Sequence, residues 1–290
     1  MVKLLQRLTM THSFLLIGQS NIAGRGFIEE VPPVFNESVK MLRNGRWQIM
    51  TEPIHNDRPA AGVGLAASFA AAWHLNNPGK EIGLIPCADG GTSLDDWTVG
   101  GALFDNALAL AKLAQRSSQL SGILWHQGEN DCSPDGAAAY AEKFDLIVNE
   151  LRIGLNVPDV PLIVGGLGDF LTAGLYGNYF TAYPLVNQAL LQYAQTRNNC
   201  YFVTATGLTA NEDQIHFNAA SQRILGIRYF EAFNTLAHII APLPHEHDLL
   251  QTISSRPFTR REETVLLENR FASGKITLQE FREQLALIAG

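Results

Sequence analysis

The stretch SFLLIGQSN at residues 13–21 decides how the rest of this 290-residue chain is interpreted. Its first five residues form a short apolar run rich in branched side chains, which is typical of a buried strand. Gly18 ends the run, and Ser20 stands in the turn that follows. Because ligands of parallel sheets bind at the carboxyl ends of the strands, Ser20 is a candidate nucleophile at such an edge.

Four further apolar runs of this kind occur along the chain, with segments of helical periodicity between them. The runs lie at 82–87, 122–126, 161–164 and 201–205. The intervening segments repeat apolar residues at helical spacing, as Leu65, Phe69 and Trp73 do. This alternation predicts an α/β fold with a five-stranded parallel sheet and crossover helices. Asn44-Gly45, between two short runs, predicts a type I′ hairpin that decorates one edge.

Three segments are predicted: a catalytic domain at 1–240, a linker at 241–257 and a C-terminal helical hairpin at 258–290. Prolines at 242, 244 and 257 indicate the linker. Capping-box spacings, Thr259 with Glu262 and Thr277 with Glu280, open the two helices of the hairpin. The second helix has an apolar face that needs a partner, either the catalytic domain or a second copy of the chain. Homo-oligomerisation through the hairpin is therefore one expectation.

Composition excludes several classes of partner. The formal net charge is −7 and Lys and Arg do not cluster, which argues against nucleic-acid and anionic-membrane partners. The start of the chain, from Met1 to Thr11, lacks the apolar stretch of a signal peptide. Met10 is an alternative start of translation, because the first apolar strand begins only after it. Three widely spaced cysteines suit reduced thiols, and a cytoplasmic location is predicted.

Metals and organic cofactors are not expected either. The cluster His245-Glu246-His247-Asp248 has the residue types of a metal site, but it lies in the predicted linker without distant ligands. A solvated loop is the preferred interpretation. Because no glycine-rich nucleotide motif follows a strand, no nucleotide cofactor is implied.

Polar and small residues follow the predicted strands and point to a site for acyl transfer. Asp213 and His216, after the last strand, can supply the base that a serine needs and the carboxylate that orients this base. Three residues in a turn can bring the carboxylate to one ring nitrogen while the other faces the serine. The loops that begin at Asp89 and Gln127 bring backbone N–H groups and amides that could bind a developing oxyanion.

Four ordered blocks give the chain a family resemblance. They are GQSNIAGRG at 18–26, GGTS at 90–93, WHQGE at 125–129 and DQIH at 213–216. In these blocks the chain resembles the SGNH (GDSL-like) hydrolases, in the branch of carbohydrate esterase family six and the sialate O-acetylesterase domain. The resemblance implies a three-layer α/β/α, flavodoxin-like fold. It also implies Ser20 as nucleophile, His216 as general base and Asp213 as its orienting acid.

The resemblance assigns the oxyanion hole to the Ser20 and Gly91 backbone N–H groups and the Gln127 side chain. Two choices stay open. Gly90 could supply the N–H in place of Gly91. Asn130 could replace Gln127, because Gly128-Glu129-Asn130-Asp131 matches the Gly-x-Asn-Asp motif of the wider group.

Four side chains are expected around the reacting groups. Asn21, Glu129, Asn130 and Arg25 are candidates to support the catalytic groups or to contact substrate. Arg58 could likewise contact a substrate carboxylate or hydroxyl.

The function expected from the resemblance is removal of O-acetyl groups from carbohydrates through an acetyl-Ser20 intermediate. An acetylated xylo-oligosaccharide or an acetylated sialic acid is the expected small-molecule partner. Nothing in the four blocks encodes the alcohol, so a general short-chain ester or thioester hydrolase is an alternative. A non-catalytic sugar-binding protein of the same fold is another.

Overall fold

The computed structural model describes residues 10–289. The choice between Met1 and Met10 as the start concerns residues 1–9, which lie outside the described part. A mostly parallel, seven-stranded sheet forms the centre of the molecule, with the strand order β3-β2-β4-β1-β5-β6-β7. The strands are β1 (Thr11–Gly18), β2 (Val39–Arg43), β3 (Arg46–Ile49), β4 (Ile82–Pro86), β5 (Ser118–His126), β6 (Leu162–Gly165) and β7 (Cys200–Val203).

Helices cover both faces of the sheet. They are α1 (Ser20–Ala23), α2 (Leu65–Asn76), α3 (Ala102–Gln115), α4 (Pro134–Leu155), α5 (Tyr183–Thr196), α6 (Ala219–Thr235), α7 (Glu246–Ser255), α8 (Arg260–Ala272) and α9 (Leu278–Ala289). Residues of α3, α4 and α5 share one apolar core, and residues of α2, α6 and α7 share the other. No helix within residues 10–289 has both the length and the apolar character to cross a membrane.

The apolar run that opens the chain shows why its strand is central. Leu15 and Ile17 belong to one core, whereas Phe14 and Leu16 belong to the other. Successive side chains of a strand point to opposite faces, so a strand buried on both faces is continuously apolar. This property makes β1 recognisable in the sequence.

The predicted count of five strands is wrong, because the predicted hairpin joins the sheet. Val39 of β2 pairs in parallel with Ile82 of β4, and β3 pairs antiparallel with β2. The turn between β2 and β3 has φ of 51° at Asn44 and 73° at Gly45, as a type I′ turn requires. The hairpin therefore extends the edge that it was predicted to decorate.

The predicted linker at 241–257 contains an ordered helix, α7. Glu246, at its start, is buried and forms an ion pair with Arg228 of α6, with an Nε–Oε2 distance of 2.7 Å. Ile253 packs into the core shared with α2 and α6. The interpretation of the His-Glu-His-Asp cluster as a solvated loop is therefore also wrong. Within residues 10–289, no group of three or more His, Cys, Asp or Glu side chains could hold a metal ion.

The last two helices attach to the body of the protein through the start of α8. Glu262 is buried, accepts a hydrogen bond from the Glu37 N–H at 2.8 Å and pairs with Arg256 at 2.9 Å. The same carboxylate completes a capping box with Thr259. In contrast, α9 has no buried residue among those described, and its Leu287 is 81% exposed.

Candidate active site

A cavity of about 350 Å³ lies at the carboxyl ends of the central strands. Its lining includes the predicted Ser20, His216, Gly91, Asn130, Glu129 and Arg25. It thus brings together residues from the turns after β1, β4 and β5 and from the loop before α6. A larger groove of about 990 Å³ runs along α4 and α5, but none of the predicted site residues lines it.

Ser20 begins the one-turn helix α1 directly after β1. The chain leaves the strand at Gly18, whose φ is +132° and where a Cβ would lie 2.1 Å from the His126 carbonyl oxygen. Only glycine permits this backbone conformation at such close approach to β5. The first N–H groups of a helix have no intrahelical partner, so the Ser20 N–H is available to a ligand in the cavity.

Asp213 and His216 form the pair that their spacing predicts. His216 Nδ1 lies 2.7 Å from Asp213 Oδ2. Because a carboxylate only accepts, Nδ1 carries the proton and Nε2 is left as the basic nitrogen. The other carboxylate oxygen accepts the backbone N–H groups of Ile215 at 2.9 Å and His216 at 3.0 Å. The turn places Gln214 at φ 54°, in the left-handed region.

These contacts determine the charge of Asp213. Burial alone would raise the pKa of its carboxyl, but the hydrogen bonds from the His216 ring and from two backbone N–H groups outweigh burial, so the pKa lies below its ordinary value. The carboxylate is therefore ionised at neutral pH and keeps the imidazole in the tautomer that general-base catalysis needs.

The structure distinguishes Gly91 from Gly90. The Gly90 N–H donates to Asp57 Oδ2 at 2.9 Å, and Asp57 is held in turn by Arg25 at 2.5 Å. Gly91 has φ of +77°, and no atom would lie within 4 Å of a Cβ built on it. Its backbone therefore borders open space at the cavity. Gly91 is the better placed of the two to bind an oxyanion.

Gln127, the side chain that the resemblance assigns to the oxyanion hole, does not line the cavity. Its side chain is fully buried. Nε2 donates to the Thr92 carbonyl at 3.0 Å and to Asp131 Oδ2 at 2.6 Å, while Oε1 accepts the Tyr140 hydroxyl at 3.1 Å. Both amide hydrogens are used, so none is left for a substrate.

Asn130, the alternative that the sequence offered, does line the cavity. Its Nδ2 donates one hydrogen to the Gly91 carbonyl at 2.7 Å. The second amide hydrogen is not needed for that contact. The contact also ties the Asn130 side chain to the backbone of Gly91. A side-chain donor and a backbone donor are thereby held next to each other.

Asn21 and Glu129 lie behind the reacting groups. Asn21 Nδ2 donates to Glu129 Oε1 and, at 3.2 Å, to the Ile215 carbonyl. Burial raises the pKa of the Glu129 carboxyl, and the hydrogen bond from Asn21 offsets part of this effect. His126 Nε2, also buried, lies 3.9 Å from Glu129 Oε1.

Arg25 and Arg58 are both engaged by carboxylates at the cavity. Arg25 pairs with Asp57, and Arg58 pairs with Asp89 at 2.8 Å. Arg58 Nη2 also donates to the Gly90 carbonyl at 2.9 Å. Both arginines therefore act on the turn that carries Gly90 and Gly91.

Three residues of the cavity region were not predicted from the sequence. Gln19 Oε1 accepts the N–H groups of Gly128 and Asn130 at 3.3 and 3.5 Å, and so links the turn after β1 to the turn after β5. Asp57 and Ile215 complete the set. Gln19 and Ile215 lie inside the sequence blocks that carry the family resemblance, and this position could have predicted their place at the site. For Asp57, the only sequence feature that could have predicted it is its neighbour Arg58.

Comparisons with known proteins identify the family of this chain. The family model for "carbohydrate esterase, sialic acid-specific acetylesterase" matches residues 10–235. A probable carbohydrate esterase of Arabidopsis thaliana is 29% identical over 242 residues, which cover 76% of this chain and 89% of the plant protein. The X-ray structure of that plant protein has a TM-score of 0.71 at 28% identity and covers 78% of this chain and 98% of its own.

Two more distant structures share the fold. The crystal structure of NanS has a TM-score of 0.62 at 17% identity, covering 79% of this chain and 98% of NanS. A carbohydrate acetylesterase from Xanthomonas citri has a TM-score of 0.58 at 16% identity, covering 76% of this chain and 55% of its own. At these identities the likeness concerns the fold alone.

Proposed function

This chain belongs to the family of carbohydrate esterases described as sialic acid-specific acetylesterases, and we propose that it removes O-acetyl groups from carbohydrates through an acetyl-Ser20 intermediate. It is a carboxylic ester hydrolase. The observation that carries the proposal is that Ser20 and an Asp213-bound His216 line one cavity. A serine hydroxyl needs a neighbouring base of this kind to become a nucleophile.

The reaction proceeds in two halves. His216 Nε2 takes the Ser20 proton as Oγ attacks the acetyl carbonyl, and the C–O bond to the sugar then breaks while His216 returns the proton to the leaving alcohol. Water, deprotonated by the same nitrogen, attacks acetyl-Ser20. The bond between the acetyl carbon and Ser20 Oγ then breaks, Oγ takes the proton back from His216, and acetate is released. Asp213 stays ionised throughout and stabilises the imidazolium.

The oxyanion of each tetrahedral intermediate is assigned to three donors: the Ser20 N–H, the Gly91 N–H and Asn130 Nδ2. Two observations support the choice of Asn130: it lines the cavity, and its contact with the Gly91 carbonyl leaves an amide hydrogen free. Gln127 is buried away from the cavity. Its role is to hold the loop in shape through Thr92, Asp131 and Tyr140.

The substrate is proposed to be a small acyl ester of a sugar, of the acetylated xylo-oligosaccharide or acetylated sialic acid type. At about 350 Å³, the cavity lies within the size range of small-molecule sites. Phe180 contributes an aromatic side chain to its lining, and sugars bind well on such rings. The Arabidopsis relative, a probable carbohydrate esterase, supports a carbohydrate as the alcohol.

The test compares wild type with Ser20→Ala on p-nitrophenyl acetate, followed by acetate release from acetylated xylo-oligosaccharides and from O-acetyl sialic acid. Ser121→Ala, in the amino-terminal part of β5, is the matched control. We expect Ser20→Ala to lose activity on every substrate and Ser121→Ala to keep it. Equal rates for wild type and Ser20→Ala would reject the proposal, and longer acyl chains hydrolysed as fast as acetate would indicate a general esterase.

Location and assembly are separate proposals. Buried thiols support a cytoplasmic location: Cys87, Cys132 and Cys200 are free, and burial raises the pKa of Cys87 and of Cys200 to about 12. The catalytic unit is proposed to extend through α7, to about residue 255, with residues 258–290 mediating assembly through the exposed α9. Deletion of 258–290, with the mass in solution measured, tests the assembly role. An unchanged mass would reject it.

A further inference from the structure

We propose that Asn21 is a positioning residue for the general base: its side-chain amide fixes the His216 loop relative to Ser20, and Glu129 reinforces the orientation of that amide. The inference rests on the proposed serine-esterase function. It assigns a task to the residue that directly follows the nucleophile in the sequence.

The first step of the argument is the pair of backbone contacts. The Phe217 N–H donates to Asn21 Oδ1 at 3.0 Å, and Asn21 Nδ2 donates to the Ile215 carbonyl at 3.2 Å. Ile215 and Phe217 flank His216, so one amide holds the backbone on both sides of the base. Because Asn21 is covalently joined to Ser20, these two bonds determine where the base stands relative to the nucleophile.

The second step is the role of Glu129. Asn21 Nδ2 also donates to Glu129 Oε1, which is buried. If the amide rotated by half a turn, its oxygen would face the Glu129 carboxyl group and the Ile215 carbonyl, and its NH₂ group would face the Phe217 N–H. The pairs with Ile215 and Phe217 lack a matching donor or acceptor in either charge state of Glu129, and the pair with Glu129 lacks one when its carboxyl group is ionised. An ionised Glu129 therefore reinforces the amide orientation that binds the loop.

The third step is that packing holds the side chains of the catalytic pair only in part. The side chains of His216 and Asp213 are 22% and 41% exposed, so packing alone does not fix them. Proton transfer requires His216 Nε2 within hydrogen-bond reach of the Ser20 hydroxyl. A displacement of about 1 Å in such a geometry costs on the order of 100-fold in rate.

The experiment measures kcat and KM for p-nitrophenyl acetate with wild type, Asn21→Ala and a matched control, Asn187→Ala. Asn187 holds the loop after β6 through the same pair of contacts, accepting the Leu167 N–H at 2.7 Å and donating to its carbonyl at 3.1 Å. We expect Asn21→Ala to lower kcat by roughly 10- to 100-fold with KM within about 3-fold. Asn187→Ala should lose similar thermal stability and keep kcat within about 3-fold.

A second pair of variants tests Glu129 and serves if Asn21→Ala fails to fold. Glu129→Gln retains an oxygen that can accept from Asn21, whereas Glu129→Leu has a similar volume and no acceptor. We expect Glu129→Gln to stay within about 3-fold of wild-type kcat and Glu129→Leu to lose about 10-fold or more.

Three outcomes would overturn the inference. In the first, folded Asn21→Ala matches Asn187→Ala in kcat. In the second, KM rises while kcat is unchanged, which would make Asn21 a substrate contact. In the third, Glu129→Gln and Glu129→Leu behave alike. If instead Ser20→Ala retains wild-type activity, the proposed function fails, and the two failures are thereby distinguished.

Discussion

Replacement of Asn130 by alanine removes the one side-chain donor assigned to the oxyanion. The structure gives this side chain a single hydrogen bond as donor, to the Gly91 carbonyl at 2.7 Å, and leaves its second amide hydrogen free. One oxyanion donor is worth about 3 kcal/mol in the transition state, so kcat should fall by on the order of 100-fold or more. Because Asn130 is exposed, the free energy of unfolding should change by less than about 1 kcal/mol.

Gln127→Ala gives the opposite pattern and serves as the comparison. Truncation of this buried side chain leaves the Thr92 carbonyl unpaired and removes one hydrogen bond each from Asp131 and Tyr140, which keep their contacts with the Leu94 N–H and the Gln127 carbonyl. The unpaired carbonyl costs about 1–3 kcal/mol and each lost hydrogen bond about 1 kcal/mol, so the loss of stability should amount to several kcal/mol. The assay is kcat for p-nitrophenyl acetate alongside urea unfolding of each variant.

The sharpest variant is Asn130→Asp, which keeps the size of the side chain and removes both amide hydrogens. A carboxylate beside a developing oxyanion adds repulsion, so this variant should be slower than Asn130→Ala at neutral pH. The reasoning would be refuted if Asn130→Ala kept wild-type kcat while folded Gln127→Ala lost about 100-fold. That result would return the oxyanion role to Gln127.

Three further predictions concern the base and the stability of the fold. Asp213→Asn should lower kcat by about 100-fold or more with a smaller effect on KM, measured at neutral pH, because the amide no longer selects the basic tautomer of His216; an unchanged kcat would contradict this role. Arg228→Met should cost about 3–5 kcal/mol in urea unfolding, because it leaves the buried Glu246 carboxylate without its partner. The double variant with Glu246→Leu should recover the part of the loss that the carboxylate causes, but not the part due to the Thr204 and Thr206 carbonyls, to which Arg228 also donates. Burial lowers the pKa of His126 to about 3, so below pH 6.5 the unfolded chain takes up a proton that the folded chain does not. The contribution of this histidine to the free energy of unfolding therefore falls by about 1.4 kcal/mol between pH 7.5 and pH 5.5. Urea unfolding at both pH values should show a loss of stability that is larger by this amount in wild type than in His126→Gln.

The parallel strands could be predicted because a strand that is buried on both faces produces a continuous apolar run in the sequence. A strand covered on both faces must be apolar at every position, as Phe14, Leu15 and Leu16 are. The edge hairpin was visible through Asn44-Gly45, since few other residues adopt positive φ twice in succession. That the hairpin pairs with β4 could not be foreseen, because a turn signal gives no information on the strand beside which the hairpin lies.

The pairing of Asp213 with His216 was predictable because it is local to one turn. Which of Gln127 and Asn130 reaches the cavity was not predictable, because the direction of both side chains depends on Gly128. This residue has φ of +155°, and a Cβ there would lie 2.8 Å from Val186 Cγ1. The chain turns at this glycine, so Gln127 stays in the interior and Asn130 reaches the cavity. The sequence shows Gln127 and Asn130 on either side of Gly128, but it does not show how the backbone turns at this glycine.

The predicted linker illustrates a different limit. Pro242 and Pro244 are signals for an irregular segment, and the chain does lack a helix there. Two residues after Pro244, Glu246 forms a buried ion pair with Arg228 of α6, and this pair holds α7 against the domain. A contact between distant residues of this kind has no local signature.

The most direct test of the account is to look for acetyl-Ser20. Enzyme mixed with p-nitrophenyl acetate is quenched in acid during turnover, digested and analysed by peptide mass spectrometry. The account predicts that the peptide containing Ser20 gains the mass of one acetyl group, that sequencing of the fragments places it on Ser20, and that Ser20→Ala gains none. Turnover by wild type with no acetylated peptide, or the same acetylation in Ser20→Ala, would contradict it.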